Sequence, residues 1–315
     1  MRRKQEVMEI SIVAFLIFSA CLTIYHGVDA QHHWSYRNYN GPEKWPEMYP
    51  SQCTGYYQSP VDIRTDETRC NLQLTTFGFY DPPQGGKFIA HNNAHSIQVD
   101  TNGQFFLAYG GLQDRYRISQ LHFHWGSSND KGSEHKINDE AAPMEMHIVS
   151  WNVDKYSSMA EAVTKPDGLA VLSILFRVSY YDNPLLEPLV QVIPYIRDPE
   201  WNNSVEIPCV AISAFLPRCP EKYYRYHGSL TTPRCYESVT WTVFKEKQTI
   251  SERQLYYFRS ALMAHTTKEF PIPHTPHTIV NPSGEILDLL VDNARPTQPL
   301  NGRVIERSFP YLDVV

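Results

Sequence analysis

The sequence carries no excess of positive charge, no low-complexity stretch and no internal repeat. Its 28 lysines and arginines against 34 aspartates and glutamates give a net charge of −6. A mildly acidic chain is a poor binder of nucleic acid. The 15 glycines and 23 prolines are scattered, so no linker divides the chain and one domain is expected. Residues 309–315 are not an apolar tail, which leaves neither a lipid-anchor signal nor a second membrane span to expect.

The one long apolar run lies at the start. Arg2, Arg3 and Lys4 precede Ile10–Tyr25, and Val28-Asp29-Ala30 offers the small residues of a cleavage site. Residues 1–30 therefore read as a signal peptide and 31–315 as the mature domain, secreted to an extracellular, oxidising compartment with no membrane attachment after cleavage. Of six cysteines, Cys21 leaves with the signal. Cys53, Cys70, Cys209, Cys219 and Cys235 remain. An odd number leaves at least one thiol free, or available to link two chains as a disulfide-bonded homodimer. Asn202-Asn203-Ser204 is a glycosylation sequon in a polar stretch.

With 42 % hydrophobic and 20 % charged residues in 315, the composition is that of a globular protein with a large core. Short alternating runs dominate: Ser96–Asp100, Gln104–Tyr109, Tyr116–His124, Met144–Ser150 and Val239–Phe244 each read as half-buried strands. Leu169–Phe176 is continuously apolar, as a central strand would be. Helical patterns are expected only over Asn183–Ile196, with Pro184 near its start, and over Ser251–Ala264. The second has Ser251 as N-cap and Leu255, Phe258 and Leu262 on one face. The fold class expected is mainly β, with short peripheral helices.

Two strand segments carry chemistry. His122 and His124 sit two apart, so on a strand both side chains share a face while Phe123 points the other way. His147 lies on a second strand. Three neutral imidazoles from adjacent strands would hold one zinc ion and leave a fourth position open, the arrangement of catalytic rather than structural zinc. Gln120 shares the face of His122, and Glu145 that of His147, so each can orient its neighbour from behind. A histidine taken singly is usually a polar residue on a strand, and His-x-His alone is weak. The company these three keep gives them weight.

That company includes His33-Trp-Ser-Tyr36, Asn40-Gly-Pro-Glu43, Gln58-Ser-Pro-Val-Asp-Ile63, Phe123-His-Trp-Gly126, Gly132-Ser-Glu-His135, Glu145-Met-His147, Gly228-Ser-Leu-Thr-Thr-Pro233 and Asn293-Ala-Arg-Pro296. In this order they resemble the α-class carbonic anhydrases over essentially the whole mature region. The resemblance implies a single domain built on a large, mostly antiparallel twisted sheet. It implies reversible zinc-dependent hydration of CO2 to bicarbonate and a proton. Zinc would be held by His122, His124 and His147, with a zinc-held hydroxide as the nucleophile.

Residue by residue, the resemblance gives Thr231 as the acceptor of the hydroxide's hydrogen bond and Glu134 as the acceptor of the threonine's. Thr232 would contact substrate, and Val149, Val171, Leu230 and Trp241 would form the apolar wall that receives CO2. His95 would be the proton shuttle, since regenerating hydroxide needs a group titrating near neutral pH. Tyr36 would order water, the Asn293 carbonyl would support a ligand histidine, taken to be His124, and Arg295 and His135 would be structural. Cys53 and Cys235 match the disulfide of secreted members, while Cys70, Cys209 and Cys219 depart from the pattern, with room for one further bridge among them. A catalytically silent binding relative or a mineral-matrix protein is the competing reading. Silent relatives lose a zinc histidine, and matrix proteins add low-complexity segments; neither is seen here. A zinc esterase is a further alternative, disfavoured by the narrow apolar wall.

Overall fold

The computed structural model describes residues 34–81, 86–263, 276–281, 284 and 286–310. Chain contacts set Ser35–Val315 apart as one unit from Met1–Trp34. The signal segment expected over residues 1–30, His33 and Ala264 lie outside the described residues. Among those described, no helix is long and apolar enough to cross a membrane.

A twisted sheet of 13 strands organises the unit. From one edge it runs Ser204–Ile207, Lys87–Asn92, Ile97–Asn102, Tyr116–Trp125, Met144–Asn152, Leu169–Ser179, Val239–Phe244, Tyr223–Gly228, Glu306–Arg307 and Arg69–Cys70. Pairing is antiparallel except where Leu169–Ser179 meets Val239–Phe244 and Gln248–Ser251, and where Glu306–Arg307 meets Arg69–Cys70. The fold is thus mainly β, with few and short helices.

Strand parity separates two apolar clusters. Leu121, Phe123 and Trp125, then Met144, Met146 and Ile148, then Ala170, Leu172, Ile174 and Phe176 face the larger one, under the helices. Val149, Leu169, Val171, Leu175, Val239, Trp241 and Val243 face the other. The run Leu169–Phe176 is apolar at every position but Ser173, in keeping with both its faces being covered. Fully burying one such side chain is worth about 1.5–3 kcal/mol, so this strand, buried on both faces, is a main contributor to the core.

Both helices are shorter than their sequence patterns suggest. Glu252–Arg259 begins on a capping box: Ser251 accepts from the Gln254 amide and the Gln254 side chain accepts from the Ser251 amide. Leu255 and Phe258 are buried as expected. Leu262 is buried too, but from a β-bridge to Leu289, with its amide donated to Arg197 O; tertiary pairing ends the helix early. The other helix is Glu187–Ile196, with Pro188 in its first turn. The segment before it is a turn, because Asn183 Oδ1 caps the Leu185 amide and Asn183 Nδ2 donates to Thr249 O. The Cys53–Cys235 disulfide is present, closing a separation of 182 residues. Cys70 and Cys209 are exposed thiols and Cys219 a half-buried one, so no second bridge forms among them.

Candidate metal centre

Register brings the histidines together. His122 lies directly opposite His147, and His124 opposite Glu145, across the Tyr116–Trp125 and Met144–Asn152 strands. A bulge between Ile118 and Gln120 shifts the register just before them. Beyond the bulge, Gln120, Val149, Val171, Trp241 and Tyr226 form one row across five strands. The nitrogens His122 Nε2 and His124 Nε2 each stand 3.2 Å from His147 Nδ1, and the ligand atoms of the three lie within 4.8 Å of one another.

Each imidazole has its other nitrogen engaged. His124 Nδ1 donates to the Asn293 carbonyl at 2.7 Å, and a carbonyl can only accept. His122 Nδ1 lies 2.9 Å from Gln120 Oε1. His147 Nε2 lies 2.6 Å from Glu145 Oε1. These bonds fix the tautomers and leave His122 Nε2, His124 Nε2 and His147 Nδ1 without protons. Three lone pairs then converge, that of His147 Nδ1 standing 3.2 Å from each of the other two nitrogens, which is repulsive unless a cation lies between them. Two nitrogens each about 2.0–2.1 Å from a tetrahedral zinc ion stand roughly 3.3–3.4 Å apart. Spacing and donor set therefore fit zinc.

Burial helps. It holds the pKa of His122 well below 6.5, aided by His147 and His124. It brings His124 to about 4, and it lowers His147 against the opposing pull of Glu145. Neutral imidazole, the form a metal needs, is thereby favoured.

Behind the histidines lie two buried carboxylates with opposite characters. Burial alone would raise Glu145, but His135 and His147 outweigh it and hold its pKa well below 4.5. Its Oε1 faces His147 Nε2, His135 Nδ1 and Ser173 Oγ, and its Oε2 accepts from the amides of Glu134 and His135. Five donors surround one ionised group, which makes a buried charge tolerable. Glu134 has fewer. Its Oε1 accepts from the Arg295 amide at 2.9 Å. Its Oε2 is buried without a hydrogen-bond partner, 3.4 Å from His124 Nε2. Burial raises its pKa to about 7, while His147, the Arg295 amide and the Thr231 side chain pull it down. A cation among the three nitrogens would pull in the same direction and favour the ionised form.

The remaining candidates surround this centre. Thr231 is buried and acts on Glu134; Thr232 is half-buried beside it. Val149, Val171 and Trp241 belong to one apolar cluster with Leu230 packed against it, and the Trp241 ring lies 4.8 Å from that of His147. Tyr36 is buried and stacked edge-on to Trp45; burial first, then Glu134, raises its pKa. His95 is half-buried in the turn between Lys87–Asn92 and Ile97–Asn102. That turn is tied down by Asn293, whose Nδ2 donates to His95 O while its Oδ1 accepts the Trp125 amide. Asn202 is exposed after the turn Pro199–Trp201.

Sequence reasoning passed over Ser173 and Tyr226. The Tyr226 hydroxyl stands 2.7 Å from His135 Nε2 and 2.9 Å from Ser59 Oγ, continuing the chain that starts at His147 and Glu145. Ser173 had a signal: it is the one polar residue within the run Leu169–Phe176. In a comparison with family models, the model described as eukaryotic-type carbonic anhydrase matches residues 40–309.

Proposed function

Because the chain belongs to the eukaryotic-type carbonic anhydrase family, we propose that it catalyses zinc-dependent, reversible hydration of carbon dioxide to bicarbonate and a proton. The observation that carries this reading is the convergence of three unprotonated nitrogens, each with its tautomer fixed from behind. Zinc bound there supplies Lewis acidity that makes a hydroxide nucleophile available near neutral pH.

The protein's own groups then do the positioning. Ionised Glu134 can only accept, so the Thr231 hydroxyl donates to it and keeps its oxygen lone pairs for the nucleophile's proton. That aims the nucleophile rather than merely holding it. Val149, Val171, Leu230 and Trp241 give the small apolar substrate a surface from which water gains little. Thr232 bonds the bicarbonate formed. His95, from its anchored turn, accepts the proton released, and Tyr36 helps order the water between. Secretion after removal of residues 1–30, glycosylation at Asn202 and a disulfide-linked homodimer through Cys70, Cys209 or Cys219 complete the proposal. The Cys53–Cys235 bridge is in keeping with an oxidising compartment.

The test is CO2 hydration measured with and without a zinc chelator, alongside His122→Ala. Activity should disappear with the chelator, return with added zinc and be lost in the variant. Full activity in His122→Ala would overturn the mechanism. A folded wild-type protein that binds zinc but hydrates no CO2 would favour the silent-relative reading.

A further inference from the structure

On the strand Tyr223–Gly228, Tyr224 and Tyr226 face the cluster that holds Trp241, and Tyr223 faces the opposite one. Arg225 shares the side of Tyr223. It is only 7 % exposed, and buried arginines ordinarily pair with a carboxylate. This one has no ion pair among the described residues. Its Nε and Nη2 donate to Thr242 Oγ1 at 3.2 and 2.9 Å, and Nη2 donates to Gly110 O at 2.9 Å. The guanidinium packs over the rings of Tyr223 and Phe77, 5.5 and 5.8 Å from their centres. Nη1 has no acceptor among these bonds, yet it is not sealed from solvent.

Arg225 lines a polar cleft of about 430 Å³. Around it stand Gln73, Gln113, Thr240, Asn71, His227 and Glu306, with Tyr226, whose hydroxyl reaches His135 on the far side, also in its lining. The side chains of Gln73, Gln113 and Thr240 bond to nothing else among the described residues, so their amide N–H and hydroxyl donors are open to a ligand. Glu306 is the cross-strand partner of Arg225, but its Oε2 accepts from Asn71 Nδ2 at 3.1 Å and it makes no ion pair with the guanidinium.

We infer that this cleft is a second ligand site, taking a small singly charged oxyanion of the carboxylate class with one oxygen on Arg225 Nη1. A buried guanidinium with no carboxylate in contact and no acceptor on Nη1 gains from an anion that also replaces lost hydration. Glu306 lines the same cleft and acts on Arg225 through space, so its charge penalises a dianion more than a monoanion. Trp241 lies between Thr240 and Thr242 and faces the metal centre from the other side of the sheet. The site is therefore separate from the zinc position and does not depend on the activity proposed above.

Acetate is the probe. Zinc-loaded, 15N-labelled protein is titrated with sodium acetate at constant ionic strength, and the Arg225 Nε–H resonance is followed, assigned by its loss in Arg225→Met. A saturable shift with a midpoint in the millimolar range is expected, the affinity of roughly one charge-assisted contact. It should persist in His124→Ala, where the zinc position is disabled. It should weaken about fivefold or more in Gln113→Glu, which sets a negative charge at the mouth. Phosphate dianion should bind more weakly than acetate. No saturable shift up to roughly 100 mM, an identical response to chloride, tighter binding of phosphate, or unchanged affinity in Gln113→Glu would each overturn the assignment.

Discussion

Replacing Glu145 with glutamine changes almost no volume, yet it removes a charge and exchanges one acceptor oxygen for a donor. The carboxylate now receives five hydrogen-bond donors. An amide nitrogen in place of Oε2 would face the backbone amides of Glu134 and His135, which cannot turn away. Two buried donors left without acceptors cost about 1–3 kcal/mol each, or roughly 2–6 kcal/mol together. In place of Oε1 the nitrogen would face Ser173, His135 and His147, which can adapt by rotating a hydroxyl or switching a tautomer. The amide should therefore settle there. His147 then accepts at Nε2 and carries its proton on Nδ1, the atom that faces the other two histidines. Zinc must displace that proton or reverse the tautomer. The affinity loss should be at least the 10–100-fold that outer partners of ligand histidines generally command, carbonic anhydrases among the systems in which that range is known. Competition with a chromophoric chelator measures it, and urea denaturation measures the accompanying loss of stability. Ser173→Ala is the control: it removes one donor of five, costs about 1 kcal/mol, and leaves the His147 tautomer alone. A folded Glu145→Gln protein with wild-type zinc affinity would refute the tautomer argument.

Acid should destabilise the zinc-free protein over a defined window. The His124 pKa of about 4 lies below the unfolded value of 6.5, so the unfolded chain binds more protons. Its contribution is complete above about pH 6.5 and is lost on descending to about 4, roughly 3 kcal/mol at full effect. His122 and His147 shift the same way. Glu134, raised to about 7, works oppositely, one group against three; stability in urea should still climb from pH 4 to 6.5, and a flat or falling profile would contradict the assignment. Thr231→Val should leave zinc binding intact while lowering kcat/KM by roughly 10²-fold, the scale of misaligning a nucleophile; undiminished hydration by the valine variant would remove Thr231 from the mechanism. Cys53→Ser should lower unfolding free energy by about 5 kcal/mol on the chain-entropy argument for so long a loop, checked by comparing melts of wild type, reduced wild type and the variant.

Much of the centre was legible in the sequence because strand periodicity is local. Spacing alone puts His122 with His124 and Gln120, and Glu145 with His147, on shared faces. Which faces meet is not local. The bulge between Ile118 and Gln120 sets His122 opposite His147, and its effect on register appears only when both strands are paired. Helix ends were overestimated for a related reason: Leu262 continues the apolar spacing, but its amide finds a better partner in Arg197 O.

The sequence by itself determined the fold class, the three histidines, their immediate backing partners and, through its resemblance, the pairing of Cys53 with Cys235. Only the tertiary structure decided the electrostatics. Glu134 and Glu145 are the same residue type, both buried, yet one is pushed up to about 7 and the other held far down. The difference is the number of donors that distant segments deliver to each carboxylate. The same holds for Arg225, an ordinary strand residue in sequence, which folding buries beside a polar cleft without an ion pair among the described residues. Hydrogen-bond partners drawn from far along the chain exist only once the sheet has formed, and they set the charge state on which the chemistry depends.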